Sequence, residues 1–283
     1  MWNEKILVTL HRNINKPYIS HSVKIKDVIS ALECFAPLPL QEDYDNAGLQ
    51  VGLTEAEVSG VLLCLDVTEA VIIEAKEKGC NMIVAHHPLI FRKLRHVTDE
   101  DYVQRCVMMA IKNDITIVAM HTNLDSVKGG VNNMIARKLN LTSVEQLGAH
   151  TQNGTEAGMG VIGTLPHPMA ADEFISLVKK TFHADCVMTN ELLQRPIIKV
   201  AVCGGAGAFV MPTAMAASAD AFLTGEMHYH EFFGTEQKLQ IAVIGHYESE
   251  QYTIELLKEI IDSNCSGVRT VLTEINTNPI KRF

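Results

Sequence analysis

The strongest constraint on this chain is an alternation. Short, continuous apolar runs are followed by stretches of helical period, again and again from residue 61 to residue 272. Val61 to Val67, Met82 to Ala85, Ile115 to Met120, Met159 to Thr164, Ile198 to Cys203, Ala221 to Thr224, Ile241 to Ile244 and Val268 to Leu272 read as strands. Glu69 to Lys78, Tyr102 to Lys112, Ala170 to Phe182 and Gln251 to Ile261 read as helices, with others around Phe209 to Ala219 and from His230. An earlier helix carries Val28, Ile29, Leu32 and Phe35 at helical spacing and ends at Pro37 and Pro39. Strands without an alternating polar face belong where both faces are covered, as in parallel sheets flanked by helices. The spacing therefore predicts an α/β protein with mixed, largely parallel sheets.

A polar, turn-rich crossing between about 140 and 156 (Asn140, Ser143, Gly148, Asn153, Gly154) divides the pattern into two interlinked α/β lobes. One is expected to comprise residues 23–140 together with 236–283, the other 141–235. Residues 1–22 lack a clear period, break at Pro17 and are set apart as an N-terminal extension.

Composition narrows the classes. With 47% hydrophobic and 20% charged residues, the 283-residue chain has the make-up of a folded globular protein. Its 24 basic and 33 acidic residues give −9, and no Lys/Arg cluster stands out, so nucleic acid is not an expected partner. Val200 to Ala219 is uncharged over a membrane-spanning length. Gly204-Gly205-Ala206-Gly207 and Pro212 break it, and a strand, a turn and a buried helix suit it better than a membrane span. That Gly-rich turn lacks dinucleotide spacing and any Gly-Lys-Ser/Thr, so tight strand-to-helix packing is expected rather than a phosphate loop. Seven cysteines without a C-x-x-C pair read as reduced core thiols of a cytoplasmic protein.

Three predicted strands run into metal-ligand residue types. The first enters His86-His87-Pro88, the second His121-Thr122-Asn123-Leu124-Asp125, the third Gly245-His246 with Glu250 four residues on. Alone, each has a plain explanation: a solvated loop, a capped strand end, or a helix-surface pair. Ligand sites in open α/β sheets lie beyond the carboxyl ends of strands, where loops converge. Imidazoles supply neutral nitrogen ligands there, and carboxylates supply charge and can bridge two cations. A helix starting at His246 puts Glu250 on the same face.

These residues resemble the Nif-three-like dinuclear metal-centre family, the YbgI/YqfO-like proteins labelled GTP cyclohydrolase type-two homologues. The resemblance rests on Asp45-Asn46-Ala47-Gly48-Leu49-Gln50-Val51-Gly52, Ala85-His86-His87-Pro88-Leu89-Ile90-Phe91 and His121-Thr122-Asn123-Leu124-Asp125. It continues in Thr224-Gly225-Glu226 with His230 and in Gly245-His246-Tyr247-Glu248-Ser249-Glu250. It implies that His86, His87, Asp125, His246 and Glu250 hold two divalent metal ions, whether zinc, iron, manganese or nickel. His121 then lines the same cavity as a supporting or catalytic group, and the Asp45 segment lies near it. Where the family commonly has Asp after Thr-Gly, this chain has Glu226, expected to move protons alongside His121. The chain is too short for the domain that longer members insert. The resemblance also implies a toroidal homohexamer.

Two functions follow as expectations. One is a metal-dependent hydrolase of a small nucleotide-like or phosphoester substrate, since paired cations can clamp an attacking water and a leaving oxygen. The other is a non-enzymatic metal-handling, chaperone or regulatory hexamer.

Overall fold

The computed structural model describes residues 22–152 and 154–282, so the expected N-terminal extension lies, Ser22 apart, outside the described residues. In chain order the first half forms α1 (Ile25–Phe35), β1 (Gly48–Val51), β2 (Val61–Cys64), α2 (Glu69–Glu77), β3 (Met82–Ala85) and α3 (Tyr102–Lys112). It continues with β4 (Thr116–Ala119), α4 (Thr122–Ser126) and α5 (Val131–Lys138). The second half forms β5 (Thr142–Gln146), β6 (His150–Gln152), β7 (Thr155–Ala157), β8 (Val161–Met169), α6 (Ala171–Thr181) and β9 (Ile197–Cys203). Then come α7 (Met211–Ala216), β10 (Ala221–Thr224), β11 (Gln240–Val243), α8 (His246–Glu250), α9 (Thr253–Asn264) and β12 (Thr270–Leu272).

Local chemistry sets the helix limits. In α1, Ile25, Val28, Ile29 and Leu32 form one buried stripe, the Asp27 carboxylate accepts the Lys24 backbone N–H at 2.8 Å, and Pro37 follows the end. Thr68 caps α2 by accepting from the Val71 amide at 3.3 Å, and Asp101 caps α3 by accepting from Gln104 at 2.9 Å.

Two five-stranded sheets result. The first has the order β1-β4-β3-β2-β12, parallel except for β1 at its edge. The second has the order β11-β10-β9-β8-β5, in which β11, β10 and β9 are parallel and β8 and β5 antiparallel. β6 and β7 make a separate hairpin. One continuous core joins the facing sides of both sheets: Leu63, Val84 and Val118 share it with Val200, Val202, Leu223 and Ala242, filled in by α1, α5, α6 and α9. α2 and α3 cover the outer side of the first sheet, and α7 lies against that of the second.

The uncharged stretch from 200 to 219 is the end of β9, a turn and α7, but α7 buries only Ala214 where a buried helix was expected; no described helix is long and apolar enough to cross a membrane. Several elements differ from the sequence expectation. β11 pairs with β10 in the second sheet, whereas 236–283 was placed with the first; β12 beside β2, α9 against α1 and β2, and the Thr273 to Leu63 contact lie with the first sheet. The crossing at 140–156 contains β5 and the β6–β7 hairpin, whose strands are short and partly exposed and so show no continuous apolar run. The helix expected from His230 is a single 3-10 turn, Tyr229–Phe232.

Candidate metal centre

Parallel strands deliver their carboxyl ends to one place. Past β3, the His86 and His87 amides continue the ladder onto the Cys64 and Leu65 carbonyls. His86 is fully buried, and its Nδ1 lies 2.7 Å from the Met120 carbonyl, which fixes Nδ1 as the protonated nitrogen and leaves Nε2 free. That Nε2 has no hydrogen-bond partner and sits 3.7 Å from both Asp125 Oδ1 and Glu250 Oε1. A buried nitrogen with no partner, facing two carboxylates across a gap too wide for a hydrogen bond, is what an ion would satisfy.

Past β4, α4 carries Asp125 one turn beyond His121, with the Asp125 amide on the His121 carbonyl at 3.1 Å. Past β11, α8 does the same for His246 and Glu250. Glu250 is the hub. Its Oε2 is 3.0 Å from His87 Nε2 and 3.2 Å from His246 Nε2, while its Oε1 faces His86. The ligand atoms of His86, Asp125 and Glu250 lie within 4.8 Å of one another, as do those of His87, His246 and Glu250. His86, His87 and His121 form a third such group. All five ligand residues implied by the sequence therefore meet, and three nitrogens with two carboxylates suit a divalent transition ion.

A glycine turn makes room for the hub. Gly205, at φ +58°, sits where a Cβ would overlap Glu250 Oε1, and its amide donates to Ser249 Oγ at 2.9 Å. The Gly-rich turn serves close approach, as expected, but to a carboxylate as well as to a helix.

Outer groups hold the rings. His87 Nδ1 is 2.8 Å from Asp66 Oδ1, and the Asp66 carboxylate also accepts from Thr277 Oγ1 at 2.6 Å. His121 Nδ1 is 2.7 Å from Asp45 Oδ1, and the Thr122 amide and hydroxyl both donate to Asp45 Oδ2. Carboxylates on the far nitrogen of a ligand histidine fix its tautomer and orientation. Glu226 makes a looser, ion-pair contact with His246, its Oε1 3.1 Å from Nδ1. It lines the adjoining groove and not the central cavity, so it is placed against His246 where the sequence suggested a proton-moving group. Sequence reasoning missed Asp66 and Thr277. Asp66 stands just past strand β2, and another strand end bearing a carboxylate was the signal available.

Charge is concentrated here. Burial pulls the His87 imidazole down, but Asp66 and Glu250 outweigh it and raise it to about 10. His246 is likewise raised to about 9, burial being overcome by Glu250. Burial acts upward on Glu250, yet His86, His246 and His87 together hold it well below the usual carboxylate range. Asp125 is raised, by burial first and by the Glu250 charge. Desolvation of Asp45 is overcome by His121 and Thr122, which lower it to about 2.

A cavity of about 200 Å³ lies over these groups, lined by His121, Asp125, His246 and Glu250 with Tyr44 and Cys203. A groove of about 450 Å³ adjoins it and shares Ala206, Phe209 and His246. At the end of the His86-His87 loop, Phe91 packs near His121 with ring centroids 6.2 Å apart. Arg92, Lys93, Arg95 and His96 follow Phe91, all exposed. Among the described residues, Arg105, Arg137, Arg195, Arg269 and Arg282 each hydrogen-bond within the fold, whereas Arg92 and Arg95 hold nothing. The sequence reading found no Lys/Arg cluster, whereas these four side chains are exposed within five positions.

Relatives carry the same arrangement of chain. The sequence model of the Duf34/NIF3 (NGG1p interacting factor 3) family matches residues 23–279. A GTP cyclohydrolase 1 type 2 homolog of Clostridium acetobutylicum is 33% identical over 266 residues, covering 92% of this chain and 99% of that protein. One of Clostridium perfringens is 36% identical over 249 residues, covering 86% and 94%. Among solved structures, a Bacillus cereus protein related to NIF3 superposes with a TM-score of 0.83 at 25% identity, over 93% of this chain and 100% of that one. With the family's sequence model matched along nearly all of its described length, and its fold matched as well, this chain belongs to the Duf34/NIF3 family.

Proposed function

We propose that the protein is a dinuclear metal-dependent hydrolase of a small anionic substrate, a nucleotide-like compound or other phosphoester. The observation that carries this is the position of Glu250, whose two carboxylate oxygens face two different ligand sets. His86 and Asp125 with Glu250 would hold one ion, and His87 and His246 with Glu250 the other. Two divalent ions there would supply Lewis acidity toward a substrate oxygen and lower the pKa of a nearby water. His121 completes the proton chemistry: Asp45 holds its Nδ1, which leaves Nε2 to take up or release a proton at the cavity. Asp66 keeps His87 in register, and the Glu226 charge lies against His246.

The unpaired Arg92, Lys93 and Arg95, which follow Phe91 in the chain, support an anionic substrate, since local cations offset the −9 of the whole chain. The name carried by the relatives, GTP cyclohydrolase 1 type 2 homolog, supports a nucleotide. The small cavity favours one reacting group inside, with the rest of the molecule in the groove. Exposed Phe209, Tyr229 and Phe233 near that groove suit contact between copies, in line with a toroidal hexamer, which light scattering would test.

The function test is plasma mass spectrometry on tag-free protein beside a His86→Ala/His246→Ala double variant, followed by a nucleotide and phosphoester panel with the metal found. Transition metal present in the native chain, absent from the variant and matched by turnover is the expected result. Metal without turnover on any member leaves a metal-handling protein. Equal metal in both proteins removes the ligand assignment.

A further inference from the structure

The last ten described residues follow a path that the metal chemistry above does not explain. After β12 the chain leaves the first sheet, where the Thr273 amide donates to the Leu63 carbonyl and the Glu274 amide to Glu74 Oε1 at 2.8 Å. It then crosses the carboxyl ends of the strands. Thr277 Oγ1 donates to Asp66 Oδ2 at 2.6 Å, on the carboxylate whose other oxygen holds His87 Nδ1. Beyond that, Asn278 Nδ2 reaches Glu248 Oε1 at 3.4 Å, and Arg282 reaches the same oxygen and the Ile244 carbonyl, each at 3.3 Å. Glu248 is in α8, between His246 and Glu250. One strand of chain thus touches a carboxylate of the first sheet and the ligand helix that follows the second.

We propose that this C-terminal strap, residues 273–282, completes the metal centre, with Thr277 as a positioning residue that fixes His87 through Asp66. The proposal rests on the dinuclear reading above. Its logic is geometric. An Asp carboxylate with one oxygen on an imidazole N–H can swing about its Cβ–Cγ bond unless the other oxygen is also held, and Thr277 holds it. The ring plane of His87, and with it the aim of Nε2 toward Glu250 and His246, then depends on a hydroxyl 190 positions along the chain. His86 is held differently, by the Met120 main-chain carbonyl, and has no such dependence. At the far end, Glu248 receives Asn278 and Arg282, which keeps α8 turned so that its ligands face inward.

The test uses the full chain with Thr277→Val, which keeps the shape and removes the hydroxyl, and Thr277→Ser, which restores it. Metal affinity is read by competition with a chromophoric chelator, and His87 by the imidazole N–H resonances of the metal-loaded, ring-labelled protein. Loss of an outer hydrogen-bond partner of a metal ligand lowers affinity on the order of 10–100-fold. Such a loss is expected in the valine variant, together with weakened protection from exchange of the His87 Nδ1–H. The serine variant is expected to behave as the native chain, and circular dichroism to be the same in all three. Native affinity and an unchanged His87 resonance in the valine variant overturn the strap proposal and leave the dinuclear reading standing. A native chain that binds no metal overturns both.

Discussion

At the scale of single residues, the site is a set of competing charges. His87 and His246, raised to about 10 and about 9, carry protons at neutral pH in the metal-free chain. In that form they stabilise the fold against Glu250. The contribution is complete below the unfolded imidazole value near 6.5 and is lost as pH rises through about 9 to 10. A metal ion needs the neutral rings, so an ion held by His87 and His246 must displace both protons. Metal affinity is therefore expected to rise with pH between about 7 and 9, by up to about tenfold per unit for each proton displaced. Titration calorimetry in two buffers of different ionisation enthalpy measures the protons released; a heat that is the same in both buffers contradicts the charge state described. Asp45 has the opposite sign. Held at about 2, it stabilises the fold above the unfolded Asp value near 3.9, and that contribution disappears as pH falls from about 4 toward 2.

At the scale of elements, the turn after β9 and the loop after β3 do separate work. Gly205 combines a left-handed φ with the space occupied by Glu250 Oε1, so Gly205→Ala meets both backbone strain and a clash. It is expected to destabilise by about 1–3 kcal/mol and to reduce metal content, read by denaturant unfolding and metal analysis. The Arg92 to His96 loop touches no ligand. Arg92→Ala/Arg95→Ala should raise KM for a phosphorylated substrate while kcat is retained, because it removes binding felt equally in the ground and transition states. A fall in kcat with KM unchanged would place the loop in the chemistry instead. The sequence displayed β3 without ambiguity, since Met82 to Ala85 is an inner strand covered on both faces and must be apolar throughout. It hid β5 and the β6–β7 hairpin, because an exposed antiparallel edge needs no such run. The histidines and carboxylates past β3, β4 and β11 were legible as strand ends, and the family resemblance selected His86, His87, Asp125, His246 and Glu250 among them. Asp66 carried the same signal past β2 and was passed over; Thr277 carried none, because it acts on a partner far along the chain and no local period encodes a contact of that kind.

At the scale of the molecule, the division into lobes gives way to a shared interior. Leu63 in the first sheet belongs to the same core as Val202 and Leu223 in the second. Removing its side chain is expected to cost about 2–5 kcal/mol, as for other fully buried leucines. The change should weaken both sheets together: hydrogen exchange of β10 amides should quicken along with that of β2, and unfolding should remain a single transition. Two transitions, with only the first sheet shifted, would show that the sheets are independent units. The candidate metal centre depends on this union, since His86, His87 and Asp125 come from one sheet and His246 and Glu250 follow the other.

The unsatisfied Nε2 of His86 would, with the proposed ion, bear on stability as well as on binding. A buried polar atom with no partner burdens the fold by about 1–3 kcal/mol, and a bound ion removes that burden while adding its own binding energy. Newly made chains that meet no metal would open more often and be degraded sooner. The amount of this protein in a cell would then track metal supply through its half-life, with no need for a separate sensor.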